Sequence, residues 1–154
     1  FLYQVNWGEL DYLVVDMPPG TGDAQLTMAQ AVPMAGAIIV TTPQTVSLQD
    51  ARRGLKMFEQ LGVNVLGIVE NMSYFIPPDA PERSYDLFGS GGGEKTSKEL
   101  QVPLLGCIPL EIALREGGDH GVPIVMSAPE SASAQALTAI AQNIAGKVSV
   151  AALA

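Results

Sequence analysis

Short apolar runs alternate with amphipathic stretches along the chain. The runs are Tyr12-Leu13-Val14-Val15, closed by Asp16; Ala37-Ile38-Ile39-Val40-Thr41-Thr42; Val63 to Val69, closed by Glu70-Asn71; and Leu104-Leu105-Gly106-Cys107-Ile108, set between Pro103 and Pro109. They are continuous rather than alternating, as in strands buried on both faces of a parallel sheet. A buried helix segment is the other reading, but short lengths and Gly or Pro flanks favour strand. Between the runs a helical period takes over. Asp23 to Val32 reads as a helix stopped before Pro33. From Ser47 to Leu61, Leu48, Ala51, Leu55, Phe58 and Leu61 share one face, with Ser47 and Asp50 as a capping-box-like start and Gly62 as the stop. Glu94 to Leu100 is a shorter helix, and Ser131 to Val148 an Ala-rich one facing inward through Leu137, Ile140, Ala141 and Ile144. The pattern predicts an α/β fold with a doubly wound, mostly parallel sheet. The strand ends at Asp16, Thr42, Asn71 and Ile108 should share one edge. Met72 to Gly93 is an insert rich in Pro, Gly and Ser, read either as a functional loop or as a mobile surface loop.

Composition narrows the picture. With 154 residues, 47% hydrophobic and 16% charged, the chain has enough apolar material for one domain with a core, and too little charge for disorder. A net charge of −8 argues against broad binding to nucleic acid or an anionic membrane. It leaves room for a single phosphate ligand held by backbone N–H groups. The lone Cys107 excludes an intrachain disulfide and suits a reducing cytoplasm. One Cys and one His cannot by themselves build a metal site, and the longest apolar run is strand-sized rather than membrane-sized. The chain opens on Phe1 rather than Met, which suggests that further sequence precedes it.

The densest chemistry is Asp16-Met17-Pro18-Pro19-Gly20-Thr21-Gly22-Asp23. An apolar strand ends in an acid and breaks into a Gly/Pro turn that opens a helix. Ligands of open parallel sheets bind at such carboxyl ends. An acid there can support Mg²⁺ through water, and Gly20 and Gly22 let backbone N–H groups come close to an anion. A tight turn with a helix-capping Asp is the plainer alternative. Gly89-Ser90-Gly91-Gly92-Gly93-Glu94-Lys95-Thr96 imitates a phosphate-binding loop, but Glu94 stands where G-x-x-x-x-G-K-[ST] needs its last glycine.

Five blocks in order, LDYLVVDMPPGTGD, VTTPQTVSLQDARR, GIVENMSYF, FGSGGGEK and REGGDHGVPIV, resemble the Mrp/ApbC family of deviant P-loop ATPases, relatives of MinD and ParA. The resemblance implies a P-loop NTPase-like fold and a cytoplasmic, homodimeric ATPase that uses ATP and Mg²⁺ and carries iron–sulfur clusters to apo-proteins. By that resemblance, Asp16 is the Walker B-type acid supporting Mg²⁺ and Gly20 the switch glycine at the γ-phosphate, with Gly22 in the same turn. Asn71 hydrogen-bonds adenine, although a residue of its type after a strand is also a common turn former. Pro109 belongs to the segment that lines the base pocket. The family's GKGGVGKS/T loop is absent, so residues 1–154 correspond to the C-terminal portion of one P-loop ATPase domain, expected to be inactive alone. The missing first strand should leave an apolar sheet edge or face exposed. The family's C-x-x-C cluster ligands are replaced by Pro77 and Ala80, which cannot ligate iron, and Cys107 is expected to be buried within its strand. Two other readings stand beside this one: a MinD/ParA-like positioning ATPase, and an inactive dimerisation or interaction fragment. His120 reads as a solvated loop residue, Arg52-Arg53 as a solvated or interface face, and Arg115 as a partner for an acid.

Overall fold

A computed structural model describes residues 3–152. In chain order the elements are α1 (Asp23–Ala31), β1 (Ala37–Thr41), α2 (Thr45–Gln60), β2 (Val65–Phe75), α3 (Gly92–Leu100), β3 (Leu104–Leu110), α4 (Ile112–His120), α5 (Ile124–Ser127) and α6 (Ala132–Ala152). The three strands form a parallel sheet in the order β1-β2-β3, with Thr41 beside Glu70 and Glu70 beside Cys107. β2 is central and carries the run Leu66 to Glu70 buried on both faces, the pattern its continuous apolar sequence predicts.

Both faces are covered. On one, Ile39, Ala51, Leu55, Ile68 and Val102 form a core that includes α2, with Phe58 and Leu100 against it. On the other, Val69, Leu105, Ile108 and Ile140 pack with Leu137 and Ile144 of α6 and Leu114 of α4. Helices on two faces of a parallel sheet make the fold a doubly wound α/β sheet. Leu55 is 1% exposed, and its burial alone contributes on the order of 2 kcal/mol.

Several local expectations change. The run Tyr12–Val15 is not a strand, and Asp16 therefore ends no sheet strand. Strands exist only as hydrogen-bonded neighbours, and no described residue pairs with this run. Leu10, Tyr12, Leu13, Val14 and Val15 are all exposed, Val14 at 85%, and Val40 of β1 is exposed too. Of these residues only Val40 lies in the sheet, on the edge strand β1; the others belong to the segment before α1. Tyr12 is held through its hydroxyl to Ser149 Oγ of α6 at 3.0 Å. Ser47 is not an N-cap: α2 begins at Thr45 with Gln44 as its cap, because the Ser47 hydroxyl is used by the β1 end. Gly62 does follow the helix in a left-handed conformation. The Gly/Asp-rich stretch around His120 is not a loop but the helix α4, in which Arg115 pairs with Asp119 and Glu116; these i,i+4 and neighbouring charges support a segment whose two glycines disfavour helix. His120 is exposed, and its Nδ1 lies 2.8 Å from the Glu116 carbonyl.

Candidate functional site

The carboxyl ends of the three strands lie together. At the end of β1, the Thr41 and Ser47 hydroxyls are 2.9 Å apart and the Thr42 N–H donates to Ser47 Oγ at 3.0 Å. β2 does not end at Asn71 but runs on to Phe75; level with the end of β1, Asn71 sits beside Ile108 of β3, so Pro109 is the next residue along β3. Asn71 is half-buried, and its Oδ1 accepts the Met72 N–H at 2.9 Å. Its Nδ2 group makes no hydrogen bond among the described residues and remains a donor at the edge. Met72 takes φ 54, a left-handed backbone unusual for a non-glycine residue. Such outliers concentrate at binding sites. Pro109 is fully buried and its carbonyl accepts Ser133 Oγ at 3.1 Å, so it shapes the edge from beneath.

Asp16 lies on the exposed segment before α1, off the sheet. Gly20 has φ +93, and nothing stands within 4 Å of where a Cβ would be. Only its backbone conformation demands glycine, and the space beside it is open to a ligand. Gly22 is the N-cap of α1 and offers no side-chain cap, leaving first-turn N–H groups available to an anion. The turn is held by a residue that the sequence did not single out. Gln25 is 3% exposed, and its Nε2 donates to the Pro18 carbonyl at 2.5 Å and the Gly20 carbonyl at 3.0 Å.

A second polar group surrounds Glu70, which is 4% exposed inside an otherwise apolar strand. Its Oε2 accepts the Gly93 N–H at 2.5 Å, and Cys107 Sγ approaches its Oε1 at 3.9 Å. Gly91 caps α3 in a left-handed conformation. The glycine-rich segment that imitates a phosphate-binding loop thus does open a helix, but its first-turn donor is taken by the protein's own carboxylate. Glu94 in that turn is exposed and bonded to Lys98 at 2.7 Å, which lowers its pKa. Cys107 is half-buried rather than fully buried. Burial pushes its thiol up, a hydrogen bond with Ser73 opposes this, and the Glu70 carboxylate adds to it. An inert thiol follows.

Pro77 and Ala80 share one turn, in which the Ala80 N–H donates to the Pro77 carbonyl at 3.2 Å. Pro77 is buried and Ala80 half-buried. Neither has a side-chain donor, and no group of three or more His, Cys, Asp or Glu able to hold a metal exists among the described residues. An iron–sulfur cluster does not fit these residues. Arg52 pairs with Glu99 and Arg53 with Asp50 at the surface. An open groove, lined by residues such as Asn64, Gln101, Gln142 and Lys147, lies at the amino ends of β2 and β3, away from this edge.

The model of ParA-type NUBPL iron-transfer P-loop NTPases matches residues 1–145. The chain belongs to this family. It is 85% identical to an iron-sulfur cluster carrier protein of Synechocystis over 99% of its length and 43% of that protein. It is 48% identical to the mouse iron-sulfur cluster transfer protein NUBPL over 93% of its length and 44% of that protein. It therefore spans less than half the length of these curated NUBPL-type relatives. Among solved structures, a nucleotide-binding protein of Archaeoglobus fulgidus in complex with ADP superposes with TM-score 0.67 at 41% identity, covering 82% of the chain and 50% of that protein. Pyrococcus furiosus MinD gives TM-score 0.61 at 29% identity, covering 79% and 46%. The P-loop NTPase likeness of the fold follows from these neighbours.

Sequence reasoning about this family member missed Gln25, Glu70 and Ser133. A signal existed for Glu70, since an acid inside a buried apolar run is rare unless it has a partner. None marked Gln25 or Ser133, whose partners are backbone carbonyls 5–7 and 24 residues away.

Proposed function

We propose that the chain is the C-terminal portion of a nucleotide-dependent iron–sulfur cluster carrier, and that it supplies half of an ATP site. The observation that carries this reading is the edge where Asn71 of β2 and Pro109 of β3 come together in a member of the NUBPL-type family. In the parent protein, a phosphate-binding loop outside residues 1–154 cradles the phosphates. Asp16 supports Mg²⁺ through water, which suits an exposed carboxylate because that ion keeps most of its hydration. Mg²⁺ with ATP supplies charge neutralisation for phosphoryl transfer. The Gly20–Gly22 turn offers backbone N–H groups at the γ-phosphate and shifts on hydrolysis. Asn71 Nδ2 donates to the base, and the amide oxygen accepts from it once it turns from Met72. The cluster is cargo for apo-protein partners and is not held by thiolates of this chain, since Pro77 and Ala80 replace them. The parent works as a cytoplasmic homodimer.

The test is turnover. The isolated chain should show no ATPase activity. The parent should hydrolyse ATP, and Asp16→Ala should lower its kcat on the order of 100-fold. Activity in the isolated chain, or a fully active Asp16→Ala parent, would sink the proposal. A MinD-like positioning role has less support. The C-terminal part of α6, from Gln142 onward, carries Lys147 alone, whereas a membrane-surface helix needs a basic face.

A further inference from the structure

We propose that Glu70 is a positioning residue: its carboxylate clasps the first turn of α3 to the bulged end of β2 and thereby fixes how Asn71 faces the nucleotide base. The proposal rests on the nucleotide reading of this edge and adds a residue to it.

The observations begin with an acid in the wrong place. Glu70 lies in the central strand, buried, one residue before Asn71. A carboxylate there is retained only if its lone pairs are met. The Gly93 N–H meets one oxygen at 2.5 Å, at the helix end where the α3 dipole favours a negative charge. The fit is tight. A Cβ on Gly93 would stand 2.9 Å from Glu70 Oε2 and 3.0 Å from its Cβ, so residue 93 must be glycine while residue 70 is glutamate.

Beyond Glu70, β2 does not continue evenly. Asn71 is opposite Ile108 and Phe75 is opposite Leu110, so β2 spends five residues where β3 spends three. The surplus is folded into a bulge around Met72 and pinned by two local bonds. The Ser73 hydroxyl donates to the Glu70 carbonyl at 2.9 Å, and Asn71 Oδ1 accepts the Met72 N–H. Bulges re-aim side chains near sites. Glu70 thus anchors the bulge at its root and ties it to Gly93, where the chain returns from the 72–91 excursion. Without the clasp, both ends of that excursion are free to shift, and Asn71 shifts with them. The phosphates are gripped elsewhere, so losing the clasp should weaken base recognition without slowing the chemical step.

The test has two arms. In the wild-type chain, amide exchange should show Gly93 N–H protected relative to the amides of Ser84, Asp86 and Phe88, which donate no hydrogen bond among the described residues; exchange at Gly93 as fast as at these three overturns the clasp with no variant needed. In the parent protein, Glu70→Ala should raise the KM for ATP about tenfold with kcat within about twofold. Glu70→Gln, which keeps an oxygen for the Gly93 N–H, should stay within about threefold of wild type in KM. Gly93→Ala should resemble Glu70→Ala, and the double variant should be no worse than the poorer single one, because both break one contact. An unchanged KM in Glu70→Ala, a Gln variant as impaired as Ala, or additive single effects refute the proposal. If the wild-type parent binds no nucleotide, the functional reading fails and Asn71 has no base to face, whereas the exchange arm still decides whether the clasp exists.

Discussion

Replacing Gln25 by glutamate tests how the Gly20 turn is held. The change is nearly isosteric and removes only the donor. Gln25 Nε2 now serves the Pro18 and Gly20 carbonyls together. In Gln25→Glu at pH 7, a carboxylate oxygen would face both carbonyl oxygens in a position only 3% exposed. Two lost hydrogen bonds at about 1 kcal/mol each total ~2 kcal/mol, or roughly 30-fold in an opening equilibrium. The carboxylate's desolvation adds to this. The rest of the turn is exposed, so the weakened element is α1, which buries no other residue fully, and the loss should appear as local opening rather than global unfolding. The assay is hydrogen exchange of the α1 amides, each rate compared with wild type at the same pH. The sign of the pH effect follows from the chemistry. The fold favours the protonated form of the introduced carboxyl, which can donate one bond, so its folded pKa lies above its unfolded value. Protection is then recovered in part as pH falls toward about 4.5 and lost as pH rises through the folded pKa. Exchange of α1 in Gln25→Glu within threefold of wild type at pH 7, or a deficit that ignores pH, would refute the assignment.

The Pro77–Ala80 turn and Cys107 give two further tests. The wild-type chain, supplied with iron and sulfide, should stay free of the visible charge-transfer absorption of a thiolate-bound cluster, while Pro77→Cys with Ala80→Cys should gain it if two copies bring their turns together, since a cluster normally takes four thiolates. A colourless double variant counts against the dimer, and a coloured wild type against the reading of the turn. Cys107, held above the usual thiol range by burial, should react with iodoacetamide at pH 8 more slowly than the same thiol in the unfolded chain. Because the fold favours the neutral thiol, its contribution to stability is intact below the ordinary thiol pKa and disappears as pH climbs past it; equal alkylation rates in folded and unfolded chains would overturn this.

The apolar runs and the helical period were enough to place β1, β2, β3, α1, α2, α3 and α6, because each run has one periodicity and clear Gly or Pro boundaries. The order of the five sequence blocks was enough to indicate the family. Of the proposed site residues, Asp16, Gly20, Gly22 and Asn71 lie within those blocks and Pro109 closes an apolar run, yet Asp16 ends no strand and Asn71 stands inside β2. Three things were decided only by tertiary structure. Tyr12–Val15 has every local mark of a strand and is none, since a strand is defined by a neighbour and no described residue supplies one. The glycine-rich segment before α3 has the local form of an anion site, yet its donor was claimed by Glu70 from a strand 23 residues earlier. The residues that fix the two candidate turns are Gln25, which lies outside every block, and Glu70, which lies within GIVENMSYF with no role marked by that block. Their roles come from burial and from partners that only the folded chain brings within reach, and a buried polar group must find such a partner or be lost.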